Sequence, residues 1–256
     1  MIKIALPNKG RLAEDTRELL EAAGLGIRMP TDRTLVAELG EEYQAIFVRS
    51  QDIPEFVADG AAQAGVTGWD LVSESGRELV DRLDLGFGRC RVVVAARDDS
   101  GIESLDEIPP GARVATVFPR IAARFFAYRG QPIELVPVSG ATEIAPHLGI
   151  ADVIVDIVST GSTLKMNGLR ELGTVLDSSA RLVTGPGAAE ARAPLDRLAI
   201  RAGARVVDLG CGPGHVVAML AERFGADNGR IARIIMTSTV LAFGSFTLLA
   251  WAFGAR

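Results

Sequence analysis

One carboxylate, Asp156, interrupts the apolar run Val153, Ile154, Val155, Ile157 and Val158, and Ser159, Thr160, Gly161, Ser162 and Thr163 follow at once. That order of residue types suits a phosphate. Glycine permits a tight turn, and small hydroxyl residues let backbone N–H groups and hydroxyls converge on an anion. A helix starting near Thr163 would add its positive end. The run is too continuously apolar for a half-solvated strand, which predicts a strand of a parallel sheet covered on both faces. Taken alone, the turn reads first as a helix N-cap, because Ser and Thr are common capping residues. A Walker loop is excluded: that motif places a Gly-Lys pair before its hydroxyl, and here Lys165 follows Thr163. What favours a ligand is the gathering of Glu143, Asp152, Asp156 and the turn between residues 143 and 163. An ionised carboxylate at the end of a buried strand is costly without a partner, which points to function for Asp156. Asp152 has two readings, ligand contact or strand cap. Glu143 has three: substrate contact, solvated helix residue, or N3 partner of a capping box begun at Gly140.

Strand-like and helix-like runs alternate around this segment. Strands are predicted over 2–6, 43–49, 64–66, 91–96, 113–117 and 134–138, and helices over 12–23, 53–59, 121–128 and 141–148. The LDEIPPG stretch at 105–111 reads as a loop or capped turn. Such alternation predicts α/β layers with ligands at the carboxyl ends of strands. Lys9, Gly10 and Arg11 leave the first strand at such an end, where cations would neutralise phosphates, although a KGR turn alone is most often a surface turn.

Composition narrows the class of protein. The 256 residues, 48% of them hydrophobic, can fill two ordinary cores. A net charge of −5 gives no basic footprint for nucleic acid. Cys90 and Cys211 stand far apart without metal-ligand spacing and read as reduced thiols. The start, MIKIALPNKG, lacks the apolar core of a signal peptide, so a cytoplasmic location is expected. His147 and His215 pair with no recognisable nucleophile and read as bystanders.

The run from Glu134 through Gly140, Glu143, Ile144, Ala145, Pro146, Asp152, Asp156, Val158 to Ser159, Thr160, Gly161, Thr163 and Leu164, with Asn167-Gly168-Leu169 beyond, resembles the signature of the ATP phosphoribosyltransferase family, in its short form. KIALPNKGRL at the start, FVRSQDIPEFV at 47–57, AGVTGWDLV at 64–72 and SSARLV at 178–183 are similar to family segments in the same order. The resemblance spans residues 1–200 or so. It implies a bilobed fold like type II periplasmic binding proteins: lobe I at 1–90, lobe II at 91–178, and a return to lobe I over 179–200. It implies attack of adenine N1 of ATP on the anomeric carbon of 5-phosphoribosyl pyrophosphate (PRPP), with Mg²⁺, in histidine biosynthesis. Ser159, Thr160, Gly161, Ser162 and Thr163 are then expected on the 5-phosphate and Asp152 and Asp156 at the ribose. Asp156 and Glu143 are the expected catalytic carboxylates. Lys9, Gly10, Arg11, Arg49 and Asp70 are expected toward ATP and pyrophosphate. Arg89 and Arg91 read either as phosphate contacts or as solvated charges. A homo-oligomer and a regulatory subunit resembling histidyl-tRNA synthetase are the expected partners. A solute-binding protein of the same fold is one rival reading, and a methyltransferase is a second.

Past residue 200 the resemblance ends. RVVDLGCGPGHVVAMLAERF at 205–224 resembles the first motif of S-adenosylmethionine-dependent methyltransferases, and residues 234–253 form 20 uncharged residues, long enough for a membrane span. Three readings of 201–256 stand: a foreign fragment without function, a helix packed on the body or a subunit, or a membrane anchor.

Overall fold

The computed structural model describes residues 1–22, 25, 27, 34–39 and 43–186. Cys211 and the segments at 205–224 and 234–253 lie outside these residues, as does 187–200. The first part of the chain forms β1 (Ile2–Pro7), α1 (Arg11–Ala22), β2 (Val36–Leu39), β3 (Tyr43–Val48), α2 (Ile53–Ala58), β4 (Ala64–Gly68), α3 (Trp69–Ser75) and β5 (Val80–Asp84). The chain then crosses to β6 (Cys90–Arg97), β7 (Ala112–Thr116), α4 (Pro119–Tyr128), β8 (Ile133–Pro137), β9 (Val153–Val158), α5 (Ser162–Met166) and β10 (Leu169–Ser178), and returns as β11 (Ala180–Thr184). Two sheets result, ordered β2-β3-β1-β4-β11-β5 and β10-β6-β9-β7-β8. Each is the floor of one lobe, and the chain passes between the lobes twice, at β5–β6 and at β10–β11.

Both sheets are mixed. In the first, β3 and β4 flank β1 in parallel while β2 and β11 run against their neighbours. In the second, β7 is parallel to β8 and β9, but β6 is antiparallel to β9. The expectation of a wholly parallel sheet around β9 is therefore corrected. The reason lies in the crossing, since β6 enters the second lobe where β9 ends and runs back along it. Cover on both faces of β9 is observed. Val92, Val94, Val153 and Val155 pack with Phe118, Ile121 and Phe126 on one side, and Val93, Ala95, Ile154 and Val158 pack with Leu164 and Leu169 on the other. The pairing of β7 with β9 stops at Val155, so the last residues of β9 project past β7, and Ile157 is 42% exposed.

The helix predicted over 141–148 is absent; a 3-10 turn at Thr142–Ile144 takes its place, followed by further turns. Ala141 enters it at φ 49°, Pro146 lacks a donor, and no capping box forms at Gly140. The capping box that does form joins Ser104, just before the LDEIPPG stretch, to Glu107 within it. No helix among the described residues is long and apolar enough to cross a membrane.

In the first lobe α2 lies close on β4 because Gly65 has no side chain. A Cβ there would stand 2.4 Å from Ile53 Cγ2 and 2.9 Å from Val57 Cγ2, both buried. Gly65→Ala is expected to push α2 off the sheet and cost about 1–3 kcal/mol, read as a lower midpoint in urea denaturation.

Candidate active site

Asp156 sits where β9 outruns β7, half-buried, with its Oδ1 accepting the Ile157 N–H at 2.7 Å. The buried Thr142 hydroxyl donates a second hydrogen bond to the same carboxyl. Burial pushes the Asp156 carboxyl above its ordinary range and the neighbouring Glu143 carboxylate adds to that, while the two hydrogen bonds oppose it. Two carboxylates therefore stand together at the carboxyl edge of the second sheet.

The turn after β9 places Ser159, Thr160, Ser162 and Thr163 at the surface. Gly161 adopts φ 79° and precedes the first residue of α5, a left-handed conformation that disfavours any other residue type. Its Cβ would touch only Val158, at 3.9 Å, so conformation and not space requires glycine. The Thr160 and Ser162 hydroxyls are 2.9 Å apart, and the Lys165 N–H closes the first turn on Gly161 O. The N–H groups of Ser162, Thr163 and Leu164 precede that closure and lack intrahelical acceptors. The Ser162 N–H reaches the Thr160 hydroxyl at 3.5 Å, so hydroxyls and helix-start donors share one small exposed turn, an arrangement that suits an anion.

Ser159 also lines a cavity of about 370 Å³ between the two chain crossings, together with Arg89, Cys90, Arg91, Ser178 and Arg181. Arg91 is paired with Glu171 and Arg181 with Asp81 and Asp84, whereas Arg89 forms no ion pair among the described residues. Burial acts to raise Asp84, but the Gly86 N–H, the Ser179 hydroxyl and the guanidiniums of Arg181 and Arg89 outweigh it and hold the carboxyl below its ordinary range. Arg181, Ser179 and Thr142 were not identified from sequence. Arg181 belongs to the return strand β11 and Ser179 immediately precedes it, a strand not predicted from periodicity, and Thr142 belongs to a segment read as a helix.

On the first lobe the parallel strands β1, β3 and β4 bring their loops to one edge. Pro7 pairs with Val48, and the Asn8 N–H donates to Val48 O at 2.9 Å, so Lys9 and Arg49 emerge side by side from neighbouring strands. Both are exposed. Gly10, at φ 82°, accepts from the Ala13 and Glu14 N–H groups as α1 begins, and Arg11 points outward with Asp15 3.9 Å away. Asp70 leaves β4 at the same edge but is only 5% exposed. Its Oδ1 accepts the Ser178 hydroxyl at 2.5 Å, and its own N–H donates to that hydroxyl at 2.9 Å. Gly68 is required there, since a Cβ would lie 2.3 Å from Asp70 Oδ1. Asp70 is thus an internal tie between α3 and the chain crossing.

Asp152 is likewise engaged within the fold. It stands at the amino end of β9, which spans six residues, about 20 Å of strand from the turn. It pairs with Arg113 through Oδ1 at 2.9 Å and accepts the Arg113 backbone N–H at 2.8 Å, and this pairing holds its carboxyl below the ordinary range. The arrangement ties β9 to β7 at the edge remote from the site.

The fold, two α/β lobes joined by two chain crossings, is that of type II periplasmic binding proteins. The VFT2 domain of Bordetella pertussis BvgS shares it at TM-score 0.50 and 17% identity, covering 80% of this chain and 93% of that one. The ATP phosphoribosyltransferase family (HisG) profile matches residues 49–202, and the chain belongs to that family. It is 68% identical over 187 residues to the ATP phosphoribosyltransferase of Gemmatimonas aurantiaca, covering 72% of this chain and 64% of that protein. The chain thus spans just under two thirds of the length of that relative. Among solved structures, the ATP phosphoribosyl transferase (HisG:HisZ) complex from Thermotoga maritima aligns at TM-score 0.68 and 29% identity, covering 79% of this chain and 99% of that one.

Burial pushes the Asp70 carboxyl above its ordinary value of 3.8, against the hydrogen bond from Ser178. The folded protein therefore holds this proton where the unfolded chain has lost it. The stability this confers is full below 3.8 and is lost as pH rises through the folded value. Asn keeps an acceptor for Ser178 without the charge, so Asp70→Asn should gain stability relative to the parent as pH rises through that window, measured by urea denaturation at a series of pH values.

Proposed function

We propose that this chain transfers the phosphoribosyl group of PRPP to adenine N1 of ATP, releasing pyrophosphate, as the opening step of histidine biosynthesis. The observation that carries this reading is the hydroxyl-rich turn at 159–163 beside Asp156, opening onto an arginine-lined cavity at the crossing between lobes. The 5-phosphate of PRPP seats on the turn. The Asp156 and Glu143 carboxylates face the ribose, where they accept hydrogen bonds from its hydroxyls and favour the positive charge that develops at the anomeric carbon. Lys9 and Arg49 on the first lobe, with Arg89 at the crossing, meet the polyphosphates. The adenine N1 lone pair forms the new bond to carbon as the bond to pyrophosphate oxygen breaks with its electron pair. N1 carries no proton, so that attack needs no general base, and catalysis reduces to positioning and charge.

Among the described residues no cluster of three or more His, Cys, Asp or Glu is arranged to hold a metal. Mg²⁺ that arrives on pyrophosphate fits this chain, because such an ion needs only one or two protein carboxylates beside substrate phosphates and water. Asp156 and Glu143 are the residues that would hold it. Its chemistry is neutralisation of the leaving pyrophosphate.

We also infer a self-association and a regulatory subunit resembling histidyl-tRNA synthetase, a reading supported by the family and by the two-component complex known from Thermotoga maritima. Likeness to binding proteins extends to fold alone, which leaves the phosphate turn as the feature that favours transfer over simple binding. Release of pyrophosphate by the purified chain, with its partner where one is required, is expected to need both ATP and PRPP, and Asp156→Asn should slow it about a hundredfold. Release that proceeds without ATP, or an Asp156→Asn variant at the parent rate, would contradict the proposal.

A further inference from the structure

Helices α3 and α4 belong to different lobes; where they meet, α4 has no cap of its own, and α3 closes on Gly76 and the Ser75 hydroxyl with its last carbonyls still open to outside donors. The amino end of α4 begins at Pro119 with Phe118 before it, without a side-chain cap or an acidic residue in its first turn. The carboxyl end of α3 has no basic residue in its last turn. Each deficiency is met by the other helix. Glu74 of α3 accepts the Arg120 N–H on Oε1 and the Ile121 N–H on Oε2, each at 3.0 Å. In return Arg120 Nη1 donates to Ser75 O and Arg124 Nη2 to Ser73 O, each at 2.6 Å. Orphan donors of one helix meet a carboxylate, and orphan carbonyls of the other meet guanidiniums, which is the favourable sense of charge for both dipoles. Gly76 makes room for this. It sits at φ 65°, and a Cβ there would lie 2.1 Å from Arg120 Nη1.

The position of this exchange matters as much as its chemistry. α4 leaves the carboxyl end of β7, the parallel neighbour of β9, and so starts from the same sheet edge as the 159–163 turn. α3 is anchored at its other end by Asp70 to Ser178, and Leu71 packs on the core of the second lobe. Thus one short helix of the first lobe is tied to the chain crossing at one end and to the second lobe at the other.

We propose that Glu74 is an interlobe positioning residue. With Arg120 and Arg124 it forms a reciprocal pair of helix caps that fixes the spacing between the phosphate turn of one lobe and the cations of the other. This latch stands independently of the reaction assigned above, because it concerns the lobes and not the ligand. Paired spin labels at Glu18→Cys on α1 and Tyr128→Cys on α4, in a Cys90→Ser and Cys211→Ser background, read the spacing directly by electron double resonance in the full chain. A single narrow distance is expected without Glu74 substitution. Glu74→Ala should broaden it to about twice that width, and Arg120→Ala with Arg124→Ala should broaden it similarly, while all three together add little more. Glu74→Gln, which keeps one acceptor, should restore part of the narrowing. Gly76→Ala displaces Arg120 without touching the carboxylate and should also broaden it, giving a second path should Glu74→Ala fail to fold by circular dichroism. A folded Glu74→Ala chain with the narrow distribution unchanged, or a Gly76→Ala chain with the same result, would overturn the proposal.

Discussion

The antiparallel pairing of β6 with β9 is the constraint on which the rest depends. Arg91 lies opposite Val158, so the strand that carries the chain into the second lobe begins beside the strand end that carries the hydroxyl-rich turn. β10 then returns along the other side of β6, and Ser178 lies opposite Cys90. Both crossings and the turn are thereby confined to one edge of one sheet. The loops of β1, β3 and β4 leave the first sheet at their carboxyl edge, the usual place for ligands in such sheets. A cleft with hydroxyls and carboxylates on one wall and Lys9 and Arg49 on the other follows from strand direction.

That geometry concentrates charge, and the molecule manages it by pairing most of it internally. Arg91 and Arg181 are held by Glu171, Asp81 and Asp84, and Asp70 is buried against Ser178, so these groups shape the crossing more than they serve a ligand. Arg89, Lys9, Arg49, Asp156 and Glu143 are left with fewer fixed obligations. The Cys90 thiol is pushed up by burial and by the nearby Asp70 carboxyl, against a hydrogen bond with Ser178. Asp70 and Glu74, at the two ends of α3, tie that helix to the chain crossing and to α4.

Much of this was legible from residue order, and the misreadings have physical causes. The apolar run of β9, the glycine at 161 and the hydroxyls around it are local signals, and the strand and turn form there. β10 escaped because Gly173 and two register shifts break its alternation, and β11 because its partners, β4 and β5, lie far back in sequence. Asp152 stands four positions before Asp156, yet a strand carries neighbours in sequence apart along its length, and Arg113 claims the nearer one. Asp70 has the composition of an open turn; only Ser178, 108 residues later, shows it to be buried. No local pattern could reveal that Glu74 caps a helix 46 residues on.

The central claim is that the phosphate seat lies at the carboxyl end of β9 and not at its amino end. Calorimetric titration of PRPP with Mg²⁺ into the parent, Thr163→Ala and Asp152→Asn tests it most directly. Saturable binding to the parent is predicted, weakened about tenfold or more in Thr163→Ala by loss of a hydroxyl on a charged phosphate, and left at parent affinity in a less stable Asp152→Asn. Loss of binding in folded Asp152→Asn with Thr163→Ala unaffected would contradict the account.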